Sequence, residues 1–575
     1  MTHAEVLSRF EEMIEAPEAV SRLKAFIVDL AIRGRIVEQD FTQISASQWL
    51  ADVLRDKRPN EHLEQFNEMP YQIPKNWAWI PFCQVVEGMA NGIYKPEGFY
   101  ADDGVLCLRM YNIKDGQINF DKPKRIRTTV EERESYELRR GDILVNRVNS
   151  KELVGKAAVI PIHSEPLIFE SKNIRVRLVE TETLPFFVNL LFRSSLYRAI
   201  IRDYAKQACG QATINQSQLA TLPLPLPPLE EQQRIVAKVS LLFEMCSRLA
   251  DSQKEREQRR DRLVAASLHA LTDGQSEDRS ATSLQDSARF YFSHLPRLVL
   301  RVDHVVKLRS TVLDLAARGR LVPQCATDEP VKNTLRKISA RLEKLGSSPS
   351  QTKTDLSKQP EFLFTIPSTW SWVSLGEIAL SVCYGTSHKS EVLEDGVPVL
   401  AMGHIKDGSV DLNTEKKVPD DIEDLPALYL KRYDLLYNRT NSAELVGKTG
   451  IFLGEDDQYT FASYLIRMRF ALDLVNPAYI NIAMNAPYFR PTQIVPHLKQ
   501  QCGQANVNGT KLKTMMIPFP PFEEQNRIVN KVKELMKVCA ELEAQIGNTS
   551  RIRSSLLEAA LHDALSASRL ERAHA

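Results

Sequence analysis

Apolar residues in two segments of the chain recur with the spacing of a long helix. Starting at Pro227 and again at Pro520, two prolines and a glutamate pair precede apolar positions at alternating intervals of four and three. Prolines and acidic residues at the first turn are typical of a helix N-terminus. The narrow apolar stripe predicts two long helices that pair as a coiled coil. The stripes consist of Ile235, Val239, Leu242, Cys246 and Leu249, and of Ile528, Val532, Leu535, Cys539, Leu542 and Ile546.

The alternative is an amphipathic helix packed on its own domain. We favour the paired arrangement because both segments keep the stripe while their outer faces are polar. A helix over residues 229–271 would be roughly 65 Å long at about 1.5 Å per residue. An antiparallel pair would hold the two preceding domains at opposite ends, related by a pseudo-twofold axis.

The regions before the long helices have the pattern of mixed α/β domains. Short β-branched runs at 143–145, 157–160 and 174–179 alternate with turn dipeptides such as Asp115-Gly116 and Asp407-Gly408. Helical stretches follow at 186–204 and 477–489. The pattern predicts α/β (α+β) folds for residues 71–226, here called head one, and 361–519, here called head two.

Nearly the whole chain is an internal repeat with a shift of about 292 residues. A period of this length is far beyond the roughly 20–50 residues of solenoid repeats, so each copy is predicted to be a domain with a helical arm. The matched blocks, in one order, are LKAFIVDLAIRGRIV and LRSTVLDLAARGRLV, IPKNWAW and IPSTWSW, IKDG twice, NRVNSKELVGK and NRTNSAELVGK, CGQATIN and CGQANVN, and PPLEEQQRIVAKV and PPFEEQNRIVNKV.

The two copies differ between these blocks, as in YKPEGFYADD after Ile93 and SHKSEVLEDG after Thr386. This contrast predicts one scaffold with two different binding surfaces. Polar stretches at 273–287 and 346–359 are predicted linkers. The segment 23–37 is predicted to pack on the C-terminal long helix and close the chain circularly. The predicted organisation is a helical segment at 1–45, head one at 71–226, a spacer helix at 227–272, a central helical segment at 295–325, head two at 361–519 and a spacer helix at 520–570.

Composition limits the function classes. The chain is 43% hydrophobic and 26% charged, without the run of about 20 apolar residues that spans a membrane, and Met1–Phe10 lacks a secretory signal. We therefore expect a cytoplasmic protein. Its eight cysteines form no C-x-x-C and predict neither disulfide nor zinc site. The net charge is +1, but residues 122–151 hold nine basic and five acidic side chains, which is weak support for phosphate binding.

Motifs for catalysis are incomplete. Asn485-Ala486-Pro487-Tyr488 lacks the first proline of an amino-methyltransferase motif, and no glycine-rich cofactor loop accompanies it. Gly447-Lys448-Thr449 resembles the end of a phosphate-binding loop, but Ser442 replaces the leading glycine. No metal-nuclease cluster or Ser/His/Asp set is evident. The sequence predicts a chain that binds without reacting.

The duplicated blocks resemble the specificity subunit of type I restriction-modification enzymes over nearly the whole chain. The most specific are N-R-[VT]-N-S-x-E-L-V-G-K, C-G-Q-A-[TN]-[IV]-N and P-P-[LF]-E-E-Q-x-R-I-V. The resemblance implies two target-recognition domains that each read one half of an asymmetric, interrupted DNA site. It also implies helical spacers on which two adenine-methyltransferase subunits dock, and restriction subunits in the same complex. S-adenosylmethionine, ATP and magnesium would belong to those partners, and this chain would hold no cofactor or metal.

Candidate DNA contacts are polar or aromatic side chains in the divergent loops and in the shared blocks. Divergent positions are expected to carry specificity, whereas shared positions either hold the backbone of DNA or cap turns. The candidates in head one are Tyr94, Lys95, Arg109, Tyr111, Asn112, Lys114, Arg147, Asn149, Ser150, Gln211 and Thr213, and those in head two are Ser387, His388, Lys389, His404, Lys406, Arg439, Asn441, Ser442, Gln504 and Asn506.

Other roles are expected for a group of arginines and a group of tryptophans. Arg33, Arg35, Arg318 and Arg320 are candidate contacts for the partner subunits, whereas Trp77, Trp79, Trp370 and Trp372 are expected to pack in the core. Two other function classes remain open: a stand-alone nuclease with an unrecognised motif, and a coiled-coil scaffold without a DNA role. Magnesium-dependent cleavage by the chain alone would support the first, and a lack of salt-sensitive DNA binding would support the second.

Overall fold

The computed structural model describes residues 5, 8–54, 70–179, 181–208, 210–272, 281–346, 364–501 and 504–566. The chain forms two compact units: Met1–Arg256 with Ser550–Ala575, and Glu257–Thr549. The predicted linker at 346–359 lies outside the described residues except for its first position. The other predicted linker is helical from residue 281 onward, so its predicted end at residue 287 was wrong.

The first unit contains head one. Its helices are α1 (Phe10–Ile14), α2 (Ala19–Ala31), α3 (Ala46–Leu54), α4 (Val130–Tyr136), α5 (Leu184–Arg193), α6 (Ser195–Tyr204), α7 (Gln216–Ala220) and the long helix α8 (Leu229–Thr272), which continues into the second unit. Its strands are β1 (Ala78–Pro81), β2 (Val86–Asn91), β3 (Tyr100–Leu108), β4 (Ile113–Lys114), β5 (Gln117–Ile118), β6 (Lys124–Ile126), β7 (Ile143–Asn146), β8 (Val148–Asn149), β9 (Ala157–Val159), β10 (Leu167–Phe169), β11 (Asn173–Leu178), β12 (Lys206–Ala208), β13 (Gln211–Thr213) and β14 (Pro223–Leu226).

The second unit repeats most of this order around head two. Its helices are α9 (Ala281–Leu298), α10 (Val302–Ala317), α11 (Val331–Lys344), α12 (Leu375–Ile378), α13 (Pro477–Asn485), α14 (Gly509–Thr514) and the long helix α15 (Phe522–Ser566), whose last turns belong to the first unit. Its strands are β15 (Ser371–Ser374), β16 (Ala379–Tyr384), β17 (Glu391–Val392), β18 (Val397–Leu400), β19 (Ile405–Lys406), β20 (Ser409–Val410), β21 (Lys416–Val418), β22 (Leu435–Asn438), β23 (Thr440–Asn441), β24 (Thr449–Ile451), β25 (Thr460–Phe461), β26 (Leu465–Phe470), β27 (Lys499–Gln501), β28 (Gln504–Asn506) and β29 (Met516–Phe519).

Each head is built from several small sheets. Head one has the strand orders β2-β11-β7-β9, β10-β3-β6, β12-β13-β8 and β1-β14, and head two has β16-β26-β22-β24-β20-β19, β17-β21-β18-β25, β23-β28-β27 and β15-β29. The predicted strands at 143–145, 157–160 and 174–179 are confirmed as β7, β9 and β11. The first and last strands of each head pair antiparallel, β1 with β14 and β15 with β29. Each head therefore begins and ends beside the start of its long helix.

The predicted Asp-Gly turns are confirmed in both heads. Asp115 and Gly116 have φ values of 52° and 79°, and Asp407 and Gly408 have 47° and 79°. Positive φ at both central residues gives the turn twist that a two-residue hairpin requires. These turns join β4 to β5 and β19 to β20.

The apolar stripes lie in the cores of the units. In the first unit, Ile235, Val239 and Cys246 are buried in one cluster with α2 and the sheets of head one. In the second, Ile528, Val532 and Cys539 are buried with α10 and with Val264, Leu268 and Leu271 from the end of α8. The first half of each stripe thus packs on its own head and on a short helix, as the alternative arrangement proposed.

The N-terminal helices contact the C-terminal long helix, mostly through residues before the predicted segment 23–37. Within that segment Arg35 makes such a contact, whereas Ile27, Val28 and Ala31 are buried with head one and the start of α8. In the first unit, Met13, Ala16 and Ala19 form a buried cluster with Leu557 and Ala560. In addition, Arg22 Nη1 donates to the carbonyl of Ser554 at 3.5 Å, and Arg35 Nη1 to that of Leu565 at 2.7 Å. The start of α8 and the end of α15 thus share one unit, and the end of α8 and the start of α15 share the other.

Among the described residues, no single helix is long and apolar enough to cross a membrane. The bent pair α5 and α6, with an angle of 69° between its helices, passes that test by length and composition alone. Most apolar residues of α5, such as Phe187 and Leu191, are buried in the core of head one.

Candidate nucleic-acid interface

The two most specific shared blocks meet on neighbouring strands in both heads. In head one, Asn149 on β8 pairs with Ala212 on β13. In head two, Asn441 on β23 pairs with Ala505 on β28. The structure therefore brings candidate residues that are more than 60 positions apart in sequence into one small sheet. The members of this group are Arg147, Asn149, Ser150, Gln211 and Thr213 in head one, and Arg439, Asn441, Ser442, Gln504 and Asn506 in head two, where the Gln504 side chain lies outside the description.

The shared arginines lie at the start of this sheet. Arg439 packs its guanidinium over the ring of Tyr384, 4.7 Å from the centroid, and donates to the carbonyl of Ser463 at 3.3 Å. Arg147 occupies the same position in head one. The Nε atoms of both arginines are buried without a hydrogen-bond partner in the described part of the chain. Both side chains are half-buried, so their positions are restricted by the surrounding residues of the head.

Two shared asparagines cap turns. Asn149 Oδ1 accepts from the backbone N–H of Ser150 at 2.9 Å, and Asn441 Oδ1 accepts from that of Ser442 at 2.8 Å. Asn149 Nδ2 also donates to Asn146 at 2.9 Å. These bonds fit the turn-capping alternative considered for the shared positions.

Asn112 does not offer a surface for DNA, and this prediction was wrong. The residue is 1% exposed; its Oδ1 accepts from the Arg109 backbone at 2.9 Å and its Nδ2 donates to the Asn119 carbonyl at 2.7 Å. His404 has the equivalent place in head two, where its Nδ1 lies 2.9 Å from the backbone nitrogen of Ala401. Its other ring nitrogen is 3.2 Å from the Asn413 carbonyl. Both side chains hold the turn before the Asp-Gly hairpin.

The divergent loops are on the surface. Tyr94 is 80% exposed, while Lys95 forms an ion pair with Glu132 at 2.6 Å and lies over the ring of Phe99. In head two, Ser387, His388 and Lys389 are all exposed. Lys389 pairs with Glu391 at 2.8 Å.

The hairpin lysines are exposed at equivalent positions. Lys114 lies on β4 and Lys406 on β19, each directly before an Asp-Gly turn. Lys406 forms an ion pair with Asp411 at 3.0 Å. Both heads thus carry an exposed lysine on the same hairpin, and a lysine ammonium suits contact with phosphate more than with a base edge.

Arg109 and Tyr111 belong to a larger cluster that the sequence did not predict. Arg109 Nε donates to the carboxylate of Glu170, and the rings of Tyr100 and Tyr111 lie 5.5 Å and 5.9 Å from its guanidinium carbon. Burial raises the pKa of Tyr100, and the nearby guanidinium opposes that shift. Glu170 and Tyr100 were missed because the contact depends on the pairing of β3 with β10.

The four arginines predicted to contact partner subunits interact with other residues of this chain. Arg33 lies over the ring of Tyr71 at 4.4 Å and Arg318 over that of Phe364 at 4.3 Å. Arg35 donates to the Leu565 carbonyl, and Arg320 to the Thr272 carbonyl at 3.1 Å. In each unit an arginine of the R-G-R segment thus binds a carbonyl at the end of a long helix, where such groups lack helical partners.

The tryptophans pack as predicted. Trp77, Trp370 and Trp372 are each 5% exposed, and half-buried Trp79 stacks edge-on against Tyr71 at 5.0 Å. The incomplete catalytic motifs also have structural roles: Asn485 donates to the Thr449 carbonyl at 3.1 Å, and Tyr488 is buried.

One group in the described residues has metal-ligand chemistry. Ligand atoms of Asp261, Asp303 and His304 lie within 4.8 Å of one another. Arg301 donates to Asp261 at 2.5 Å and to Asp303 at 2.9 Å, and His304 Nε2 lies 2.8 Å from Asp261. The guanidinium already supplies the positive charge in this group, so it is a structural ion-pair network.

Both repeated segments match a known domain family, described as the type I restriction modification DNA specificity domain, at residues 92–257 and 367–549. Together they cover more than half of the chain. The chain belongs to the type I restriction-modification DNA specificity family. It is a specificity subunit with two target-recognition domains, which are heads one and two.

Relatives in this family match most of the chain. The type I restriction enzyme EcoAI specificity subunit of Escherichia coli is 24% identical over 565 residues, covering 94% of this chain and 93% of the relative. The EcoEI specificity subunit of the same species is 22% identical over 579 residues, covering 95% and 94%. A crystal structure of the HsdS subunit from Thermoanaerobacter tengcongensis is 17% identical, covers 86% of this chain and 99% of that chain, and superposes with a TM-score of 0.40.

Proposed function

We propose that heads one and two read the two halves of an asymmetric, interrupted DNA site. The observation that carries the proposal is that the two heads share one backbone scaffold but present different side chains on their loops. The heads share strand pairings, Asp-Gly hairpins and arginine positions, whereas the loops after Ile93 and Thr386 differ in nearly every side chain. Two unlike surfaces on one chain suit two unlike half-sites, which a symmetric dimer could not distinguish.

The long helices are proposed to set the gap between the half-sites and to dock two adenine-methyltransferase subunits. The repeat supports this role, because it gives the chain two copies of the long helix and of the short helix that packs on its start. Restriction subunits would join through the methyltransferase subunits. In this complex, in the cytoplasm, S-adenosylmethionine, ATP and magnesium would be bound by the partners. Site-specific DNA cleavage and adenine methylation would then be activities of the whole assembly.

Methylation mapping tests the proposal. The chain is expressed with its modification subunit in a host that lacks other adenine methylation, and modified bases are located by single-molecule sequencing. The expected result is a modified-adenine motif in two unequal halves with a fixed gap. The control is the modification subunit expressed without this chain, which should give no such motif.

The other two function classes predict different results. A coiled-coil scaffold would give an assembled complex without a methylated motif and without salt-sensitive DNA binding. A stand-alone nuclease would cleave DNA with magnesium in the absence of partners. Either result would contradict the proposed function.

A further inference from the structure

An arginine–glutamate pair lies where two parallel strands of head one end. Arg109 follows β3 and Glu170 follows β10, and the ladder before them pairs Leu108 with Phe169. Ile93, the last residue before the divergent loop, forms a parallel bridge with Glu170. The pair therefore borders the loop in which the two heads differ most.

The guanidinium of Arg109 is held on three sides. Glu170, whose side chain is 12% exposed, accepts from Nε, and two tyrosine rings, Tyr100 and Tyr111, lie beside the guanidinium. Within the described residues, Nη1 and Nη2 donate to no other group. One edge of the fork is thus fixed, while the other remains available to a ligand.

We propose that Arg109 reads a guanine in the half-site of head one, with Glu170 as the residue that positions it. This inference rests on the proposed function. An arginine fork whose two Nη amino groups are free matches the O6 and N7 acceptors of guanine in the major groove. A phosphate contact would depend mainly on charge, which Glu170 largely neutralises here. The Arg109–Glu170 pair fixes the direction of the guanidinium. A guanidinium in a fixed direction can distinguish guanine from the other bases, because its N–H groups must align with the acceptors of the base.

Head two has the same backbone without the pair. Its ladder matches Leu400 with Phe461, and Thr386 forms the equivalent bridge with Ala462. Ala401 and Ala462 follow these strands where head one has Arg109 and Glu170, and Gly403 replaces Tyr111. The proposed contact therefore belongs to one half-site only.

The test compares methylation motifs of complexes that contain the full chain and its modification subunit. The wild-type motif should require guanine at one position of one half-site. Arg109→Ala should lower the preference for guanine there by roughly tenfold or more. Arg109→Lys should also lower it, because lysine keeps the charge but lacks the planar fork. Glu170→Gln should weaken the same preference less. The other half-site should not change.

Arg125→Ala is the matched control. Arg125 lies on β6 opposite Leu106 of β3 and pairs at 2.8 Å with Glu165, which precedes β10 whereas Glu170 follows it, so its loss removes a comparable ion pair and should leave the motif unchanged. An unaltered motif in the Arg109→Lys and Glu170→Gln complexes would overturn the inference, as would relaxation at an adenine–thymine position or in both halves. Absence of any bipartite motif in the wild type would instead remove the proposed function, and this inference with it.

Discussion

At the scale of single residues, a buried carboxylate joins head two to its long helix. Glu524, in the first turn of α15, accepts from Trp370 Nε1 at 3.0 Å and from Gln324 Nε2 at 2.6 Å. Burial raises the pKa of Glu524, and the two donors oppose this shift. Glu231 has the equivalent place in head one, where Gln39 donates to it at 2.7 Å, but among the described residues Trp77 Nε1 has no hydrogen-bond partner. The repeated W-x-W and E-E-Q motifs predict core packing and a helix start, but not this contact, since its members are about 150 residues apart.

Replacing Trp370 by phenylalanine should destabilise the second unit. The change removes a donor from a buried carboxylate, which costs about 1–3 kcal/mol. Trp372→Phe is the control, because Trp372 is equally buried but packs against Phe364 and Tyr488 through ring contacts. The free energy of unfolding is measured by urea denaturation of both variants. Equal losses in the two would show that the Trp370–Glu524 bond contributes nothing beyond packing.

The Arg301 network predicts an acid-sensitive second unit. A hydrogen bond from Arg301 lowers the pKa of Asp303 to about 2. A carboxyl with a depressed folded pKa stabilises the protein above its unfolded pKa, and that contribution is lost as the pH falls towards 2. Asp303→Asn should therefore flatten the fall in melting temperature between about pH 4 and pH 2. The control is Asp395→Asn, on an exposed loop, whose melting temperature should follow that of the wild type at each pH. If the melting temperature of Asp303→Asn fell with pH as steeply as that of the wild type, the prediction would be contradicted.

At the scale of elements, the short helices α2 and α10 organise the two units in the same way. Each lies against the stripe at the start of one long helix, and an arginine of the R-G-R segment binds the end of the other. The stripe predicted both long helices and their polar outer faces. The apolar stripe alone could not show which element packs on it, because a short helix can cover such a stripe as well as a second long helix can.

Loss of the Arg35 side chain should loosen the end of α15. Arg35 Nη1 binds the Leu565 carbonyl in the last turn, and a bond of this kind contributes about 1 kcal/mol. Arg35→Ala should make residues 557–566 more susceptible to limited proteolysis, detected by mass spectrometry. Arg320→Ala, which removes the equivalent bond to Thr272, should leave the C-terminus as resistant as in the wild type. Equal cleavage of all three proteins would contradict this role for Arg35.

At the scale of the whole molecule, the repeat predicted two equivalent heads, and the structure shows the pairings that make them equivalent. Hydrophobic patterning located strands such as β7, β9 and β11. Their order in the sheets could not be predicted, because parallel pairs such as β3 with β10 join segments about 60 residues apart. For the same reason the sequence pointed to Arg109 but not to Glu170.

Net charge makes a prediction for the purified chain. With a formal charge of +1 at pH 7 and an isoelectric point near 7.6, the free subunit has little electrostatic repulsion near neutral pH. Its solubility should be lowest near pH 7.6 and rise towards pH 6 and pH 9. The polyethylene glycol concentration at half precipitation measures this. A solubility that changes in one direction across the range would contradict the prediction.

The ladder that ends at Arg109 also bears on how new specificities arise. In both heads the strand ends are held by the same backbone hydrogen bonds, Glu170 to Leu108 at 3.0 Å and Ala462 to Leu400 at 2.9 Å. The side chains that follow can differ as much as arginine and alanine while the fold is unchanged. With Arg109 in the proposed recognition role, recognition would be uncoupled from folding, so mutations at these positions could be sampled by evolution without loss of the protein.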